Sequence, residues 1–292
     1  MGSGNKHSSI HPDRPTQADD GRTEVGTTMT DSEVPTRVVK STQPKRILFA
    51  NSKGGCGKST LATNLASYYA HRNISTTLID YDPQGSSTQW LKQRSPHAPK
   101  INGIQAFKAA SSSSTRNWHM KLPRDTRRVI IDTPAGLDGN QLIEQIKLSN
   151  IIIVPVLPSP VDIHAATRFI GSILLSGQFK QQNKQLVVLA NRVRKNTRVL
   201  DKLDRFLNSL RLPQVGSIRD TQNYIYCADM GMGIVDLPPS KSQSDLQEWH
   251  DLVAWLELQL HSSNTSALTA HSSYENVKKP VPIQNKDIYA LI

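Results

Sequence analysis

The stretch Lys53-Gly54-Gly55-Cys56-Gly57-Lys58-Ser59 follows the apolar run Ile47-Leu48-Phe49-Ala50 and precedes a helical pattern from Thr60 to His71. A strand, a glycine-rich turn and a helix in that order make a phosphate cradle. The usual loop reads G-x-x-x-x-G-K-[ST]. Here Gly57-Lys58-Ser59 closes the loop normally, but Ser52 stands at the first glycine position and Lys53 follows it. Glycines 54, 55 and 57 let the backbone curl, so that N–H groups from Gly54 to Thr60, Cys56 included, converge on phosphate oxygens. Lys58 is placed for the β- and γ-phosphates, and the Ser59 hydroxyl for Mg²⁺. Lys53 comes too early to be the ordinary loop lysine and requires a separate role.

Two later motifs end apolar runs in carboxylates. Thr77-Leu78-Ile79-Asp80-Tyr81-Asp82-Pro83-Gln84-Gly85 places two aspartates one residue apart. Strand geometry would point Asp80 and Asp82 to the same side if the strand ran through both. Carboxylates beside a nucleotide hold Mg²⁺ or orient an attacking water. Arg127-Arg128-Val129-Ile130-Ile131-Asp132-Thr133-Pro134-Ala135-Gly136 repeats the pattern, with Asp132 expected in the Mg²⁺ shell. Asn191 ends a further apolar run, Leu186 to Ala190, where it could also cap the next helix.

The string KGGCGKST resembles the deviant Walker A motif of the ParA/MinD superfamily of ATPases, and DxDPQG and DTPAG resemble its two switch segments. The resemblance covers roughly residues 45–260 and best fits the small, single-domain ParA type. It implies ATP and Mg²⁺ as cofactors, with Ser59, Asp80 and Asp132 on the metal side. It implies a homodimer in which Lys53 reaches the partner's phosphates, with Lys58 and Asp82 as the other catalytic groups. It further implies that Asn191 and Pro238, in the segment Asp236-Leu237-Pro238-Pro239, contact adenine.

Composition bounds the rest. The chain has 292 residues, 37% of them hydrophobic, and no Phe, Trp or Tyr before Phe49. Residues 1–44 are rich in small, polar and mixed-charge residues and are expected to be a disordered tail. Residues 262–292 are expected to be a second flexible tail, leaving 45–261 as one ATPase domain. The two cysteines, Cys56 and Cys227, permit no disulfide framework or zinc spacing. No run of about 18 apolar residues occurs, so the expected place is the cytoplasm. Apolar runs at 46–50, 76–80, 129–132, 151–156 and 186–190, and a shorter one near 215–218, alternate with helical patterns at 58–71, 140–148, 162–175 and 197–210. That alternation predicts an α/β fold, a mostly parallel, doubly wound sheet with helices on both faces. A last helix is predicted over 244–260, opened by a capping box of Ser244 with Gln247.

Charge is the remaining signal. The chain carries a formal +11, and residues 168–219 hold eleven Lys/Arg against two acids, Asp201 and Asp204. Arg192, Arg194, Lys195, Arg198 and Lys202 gather around one strand end and the following helix. Such a field suits a phosphate backbone and binds without reading sequence. Arg219, in Ser-Ile-Arg-Asp, resembles the segment where ParA proteins carry a DNA-contacting arginine. The resemblance thus implies an ATPase that binds non-specific double-stranded DNA over the nucleoid. It would position a plasmid, chromosome or protein cargo, with a ParB-like adaptor stimulating hydrolysis. The alternatives are a MinD-like membrane-associated ATPase and a small-molecule enzyme of the same superfamily. A membrane-binding C-terminal helix is not apparent, because Pro280 and Pro282 interrupt that region.

Overall fold

The computed structural model describes residues 43–107, 121–137, 139–181, 184–194, 197–209 and 212–262. Nearly all of both expected tails, and Lys195, lie outside these residues. The elements run β1 (Lys45–Phe49), α1 (Lys58–His71), β2 (Thr76–Asp80), α2 (Ser86–Gln93), β3 (Asn102–Gln105), β4 (Arg128–Asp132), α3 (Gly139–Leu148), β5 (Ile151–Val156), α4 (Pro160–Leu175), α5 (Gly177–Gln181), β6 (Gln185–Val193), α6 (Arg198–Ser209), β7 (Gln214–Arg219), α7 (Gln222–Asp229), a 3-10 turn (Ile234–Asp236) and α8 (Pro239–Ser262).

The seven strands form one sheet in the order β3-β2-β4-β1-β5-β6-β7, and every pairing is parallel. Strands buried on both faces read as continuous Val/Ile/Leu runs, as β4 and β5 do. One core packs α1, α2, α7 and α8 on one face, through Leu65, Tyr69, Trp90, Cys227, Trp249 and Leu256. The other packs α3, α4 and α6 on the opposite face, through Ile146, Phe169, Ile173 and Leu203. The chain winds outward from β1 to β3, returns to β4 and crosses to β5. The carboxyl ends of β1 and β4 therefore sit where the winding reverses, the place where such sheets bind ligands. Pro155 interrupts β5 only beyond its last β1 partner, Ile153, and its carbonyl accepts a bond from Asn51 Nδ2 at 2.7 Å.

Helix α8 corrects one expectation. It begins at Pro239, not Ser244, so the Ser244–Gln247 pair lies inside the helix rather than capping it. Proline is favoured in a helix's first turn, where its missing N–H leaves no intrahelical bond unmade. Among the described residues no helix is long and apolar enough to cross a membrane.

Candidate nucleotide-binding site

The loop after β1 is pinned from several sides. Asn51 Oδ1 accepts from the Lys53 N–H at 3.1 Å, and Thr133 Oγ1 donates to the Phe49 carbonyl at 2.8 Å. The Gly136 N–H donates to the Ser52 carbonyl at 3.0 Å, tying the segment after β4 to the loop. Gly55 and Gly57 have φ of 74° and 94°, a backbone region that side chains strain. A Cβ on Gly57 would stand 2.2 Å from Asn191 Nδ2. Helix α1 opens directly from Gly57, so its N-terminal end faces the cradle.

The two lysines of the loop separate. Lys58 is buried, and its Nζ folds back on the Lys53 carbonyl at 3.2 Å, with the Cys56 sulfur at 4.0 Å. It lines a cleft of about 580 Å³ together with Gly54, Gly57, Ser59, Thr60 and Asp82. Lys53 is only half-buried, does not line that cleft, and its ammonium has no ion-pair partner among the described residues.

The carboxylates also separate. β2 ends at Asp80, so the condition for Asp80 and Asp82 to share a side is not met. Asp82 is half-exposed on the cleft wall, its Oδ1 accepting from the Gln84 N–H at 2.9 Å. Asp80 is buried and fully bonded. Its Oδ2 accepts from both the N–H and the Oγ1 of Thr88, each at 2.8 Å, and its Oδ1 from the Asp82 N–H at 3.0 Å. Asp80 thus anchors the start of α2 at the end of β2. Asp132 is wholly buried, and burial pushes its carboxyl up to about 6 against the hydroxyls of Ser87 and Ser59, which lower it. Ser87 Oγ donates to its Oδ2 at 2.7 Å, while Oδ1 has no partner. A buried, unpartnered carboxylate oxygen beside the loop serine fits a hard cation with oxygen ligands. Among the described residues no group of three or more His, Cys, Asp or Glu could hold a metal alone. A cation here would need phosphate oxygens and waters to complete its shell.

The opposite wall is built from the ends of β6 and β7 and from α7. Asn191 lines the cleft, but its Nδ2 donates to the Cys56 carbonyl at 2.8 Å, bracing the loop against the end of β6. Pro238 is exposed and outside the cleft. Its segment packs along α1 instead, with Asp236 bonded to Ser67 and His71. That side of the cleft is lined by Ile218, Asp220 and Thr221 and by Tyr224, Ile225 and Ala228 of α7, residues the sequence reading missed, together with Arg219, which it had read as a DNA contact. Of the basic residues, Arg192 and Arg194 pair with Asp220 at 3.5 and 2.7 Å, and Arg194 is the chief cause holding the Asp220 carboxyl down. Arg219 lines the cleft and pairs with the buried Asp245. Arg198 and Lys202 stand exposed on α6 with no acidic partner among the described residues.

Residues 47–233 match the family model described as the CobQ/CobB/MinD/ParA nucleotide binding domain. The chain belongs to that family. It is 31% identical over 140 residues to a maintenance of carboxysome distribution protein A from Halothiobacillus neapolitanus, covering 48% of this chain and 63% of that protein. A namesake from Gloeobacter kilaueensis is 30% identical over 124 residues, covering 42% and 54%. The chain therefore spans less than two thirds of the length of these relatives. A plasmid partition protein from Borrelia burgdorferi B31, solved with AMPPNP, superposes with a TM-score of 0.59 at 19% identity, over 75% of this chain and all of that one. The ATP complex of a Cyanothece McdA variant gives 0.53 at 16% identity, over 72% of this chain and 96% of that one. At these identities the superpositions establish the fold, a seven-stranded parallel sheet of the P-loop type.

Proposed function

We propose that this chain is a ParA-type partition or positioning ATPase that dimerises on ATP and hydrolyses it. The observation that carries the reading is the separation of the two loop lysines. Lys58 belongs to its own cleft, whereas the Lys53 ammonium is left without an ion-pair partner among the described residues. A second phosphate-seeking cation outside its own cleft is suited to a neighbouring subunit's nucleotide. The loop N–H groups and Lys58 would bind the phosphates, and Ser59 and Asp132 would hold Mg²⁺. The cation, when bound, would neutralise charge on the β- and γ-phosphate oxygens. Asp82 would orient the attacking water. The relatives named for carboxysome distribution and plasmid partition support a positioning role with a cargo and an adaptor. The exposed cations Arg198 and Lys202 support a DNA contact that ignores sequence. Closure of two subunits would double that contact, adding avidity without new chemistry.

The test is Lys53→Ala. The variant is expected to bind ATP as the parent does and to remain monomeric by light scattering. An ATP-dependent dimer of ordinary affinity would refute the role given to Lys53.

A further inference from the structure

Helix α2 begins three residues after Pro83, and its first turn, Ser86-Ser87-Thr88, turns two hydroxyls inward beneath the cleft. Ser87 is wholly buried, and its Oγ donates to Asp132 Oδ2 at 2.7 Å. Thr88 serves a different carboxylate, Asp80 at the end of β2. The first turn of one helix thus holds the strand-end carboxylates of both β2 and β4. It belongs to the segment that carries Asp82, closed by the Gly85 N–H donating to the Asp82 carbonyl at 2.8 Å.

A carboxylate turns easily about its last torsion, which has broad rather than staggered minima. With Oδ2 fixed by Ser87, the remaining oxygen, Oδ1, is held in one place without a partner. Burial leaves no bulk water to take over the Ser87 bond. We propose that Ser87 is a positioning residue that aims the free oxygen of Asp132 at the cation accompanying a bound nucleoside triphosphate. By the same bond it ties the orientation of Asp132 to the segment carrying Asp82. This rests on the nucleotide reading of the cleft.

The test is a Mg²⁺ titration of binding, with a fluorescent ATP analogue as the probe and EDTA as the metal-free reference. Ser87→Ala is expected to raise the half-saturating Mg²⁺ concentration roughly tenfold, the usual scale for losing a group that orients a metal ligand. Its affinity in EDTA should match the parent's. Thr88→Val, which loosens the same helix turn through Asp80, is expected to lower thermal stability and leave the Mg²⁺ midpoint in place. A Ser87→Ala midpoint equal to the parent's overturns the proposal, as does an equal shift in Thr88→Val, because Ser87 would then act only by holding the helix. A parent that binds no ATP analogue overturns the nucleotide reading and this inference with it. If Ser87→Ala does not fold, Ser87→Cys, a weaker donor of similar size, carries the same test with a smaller shift expected.

Discussion

Asp236 is the joint that fixes the segment after α7 onto the phosphate-binding helix, and its neutralisation should be costly in a pH-dependent way. Its carboxylate accepts five bonds: Arg94 Nη1 at 2.9 Å and Nη2 at 3.3 Å, His71 Nε2 at 2.6 Å, Ser67 Oγ at 2.8 Å and the Gly233 N–H at 2.7 Å. Burial alone would raise this carboxyl, but Arg94, the Gly233 N–H and His71 outweigh it and hold it down to about 2. Against an ordinary value of 3.8, that depression is worth about 2 kcal/mol at most, and less where the His71 side meets water. A depressed carboxyl stabilises the fold fully above the unfolded value, and the contribution fades as pH falls from about 4 towards 2. Asp236→Asn does more than remove that term, because it strands an Arg94 side chain that is only 5% exposed. Breaking such a pair costs about 3–5 kcal/mol. For a domain of this size that lowers the melting temperature by roughly 6–20 °C. Urea unfolding of parent and variant at pH 7 and pH 3 is the assay. The gap should be largest at neutral pH and narrow in acid. A gap under about 1 kcal/mol at pH 7, or one that widens on acidification, would refute the account of Asp236 as a buried, charge-paired joint.

Two further outcomes follow from the site. Asp82→Ala should bind ATP and Mg²⁺ yet release phosphate at least about a hundredfold more slowly, since a positioned acid–base group contributes on that scale; unchanged single-turnover release would remove Asp82 from the chemistry. Arg198→Glu with Lys202→Glu should weaken binding to random duplex DNA and lower the slope of log K against log salt by about 1.8, two phosphate contacts' worth. An unaltered slope would place the DNA contact elsewhere.

The fold was legible because its strands are long apolar runs and its helices keep their period. The misses have local causes. β3 is a four-residue, half-exposed edge strand, Asn102-Gly103-Ile104-Gln105, with one apolar side chain and no run to detect. The α8 start was obscured by a capping-box spelling inside a longer helix, while Pro239 carried the better signal. The phosphate loop was readable residue by residue, since its glycines and lysine serve the backbone locally. The far wall was not, because contact with the cleft there depends on where α7 lands after β7. No local spelling distinguishes Tyr224 on that wall from Pro238 outside it. Ser87 did leave a trace, since a Ser-Ser-Thr run directly after Asp-Pro-Gln-Gly marks a helix start whose hydroxyls seek acceptors. Which acceptors they find depends on β4 lying beside β2.

Charge is where counting misled most. The basic excess between Arg168 and Arg219 reads as one phosphate-seeking field, but much of it is answered inside the fold. Lys184 donates to the carbonyls of Lys147 at 2.9 Å and Ser149 at 2.6 Å, and burial brings its pKa down to about 8. Arg192 and Arg194 converge on Asp220, and Arg219 on Asp245. Reversing Arg219 would therefore leave Asp245, which is wholly buried, facing a like charge, and would strain the cleft wall as well as any DNA contact. Among the described residues, the cations left for an external phosphate include exposed Arg168 on α4 and those on the outer face of α6, where Leu203 and Leu207 bury one side and Arg198 and Lys202 occupy the other. A chain whose α6 turns a basic face outward, and whose cleft wall carries arginine–aspartate pairs, has two separate uses for its charge. Only the outward one should respond to salt as nucleic-acid binding does.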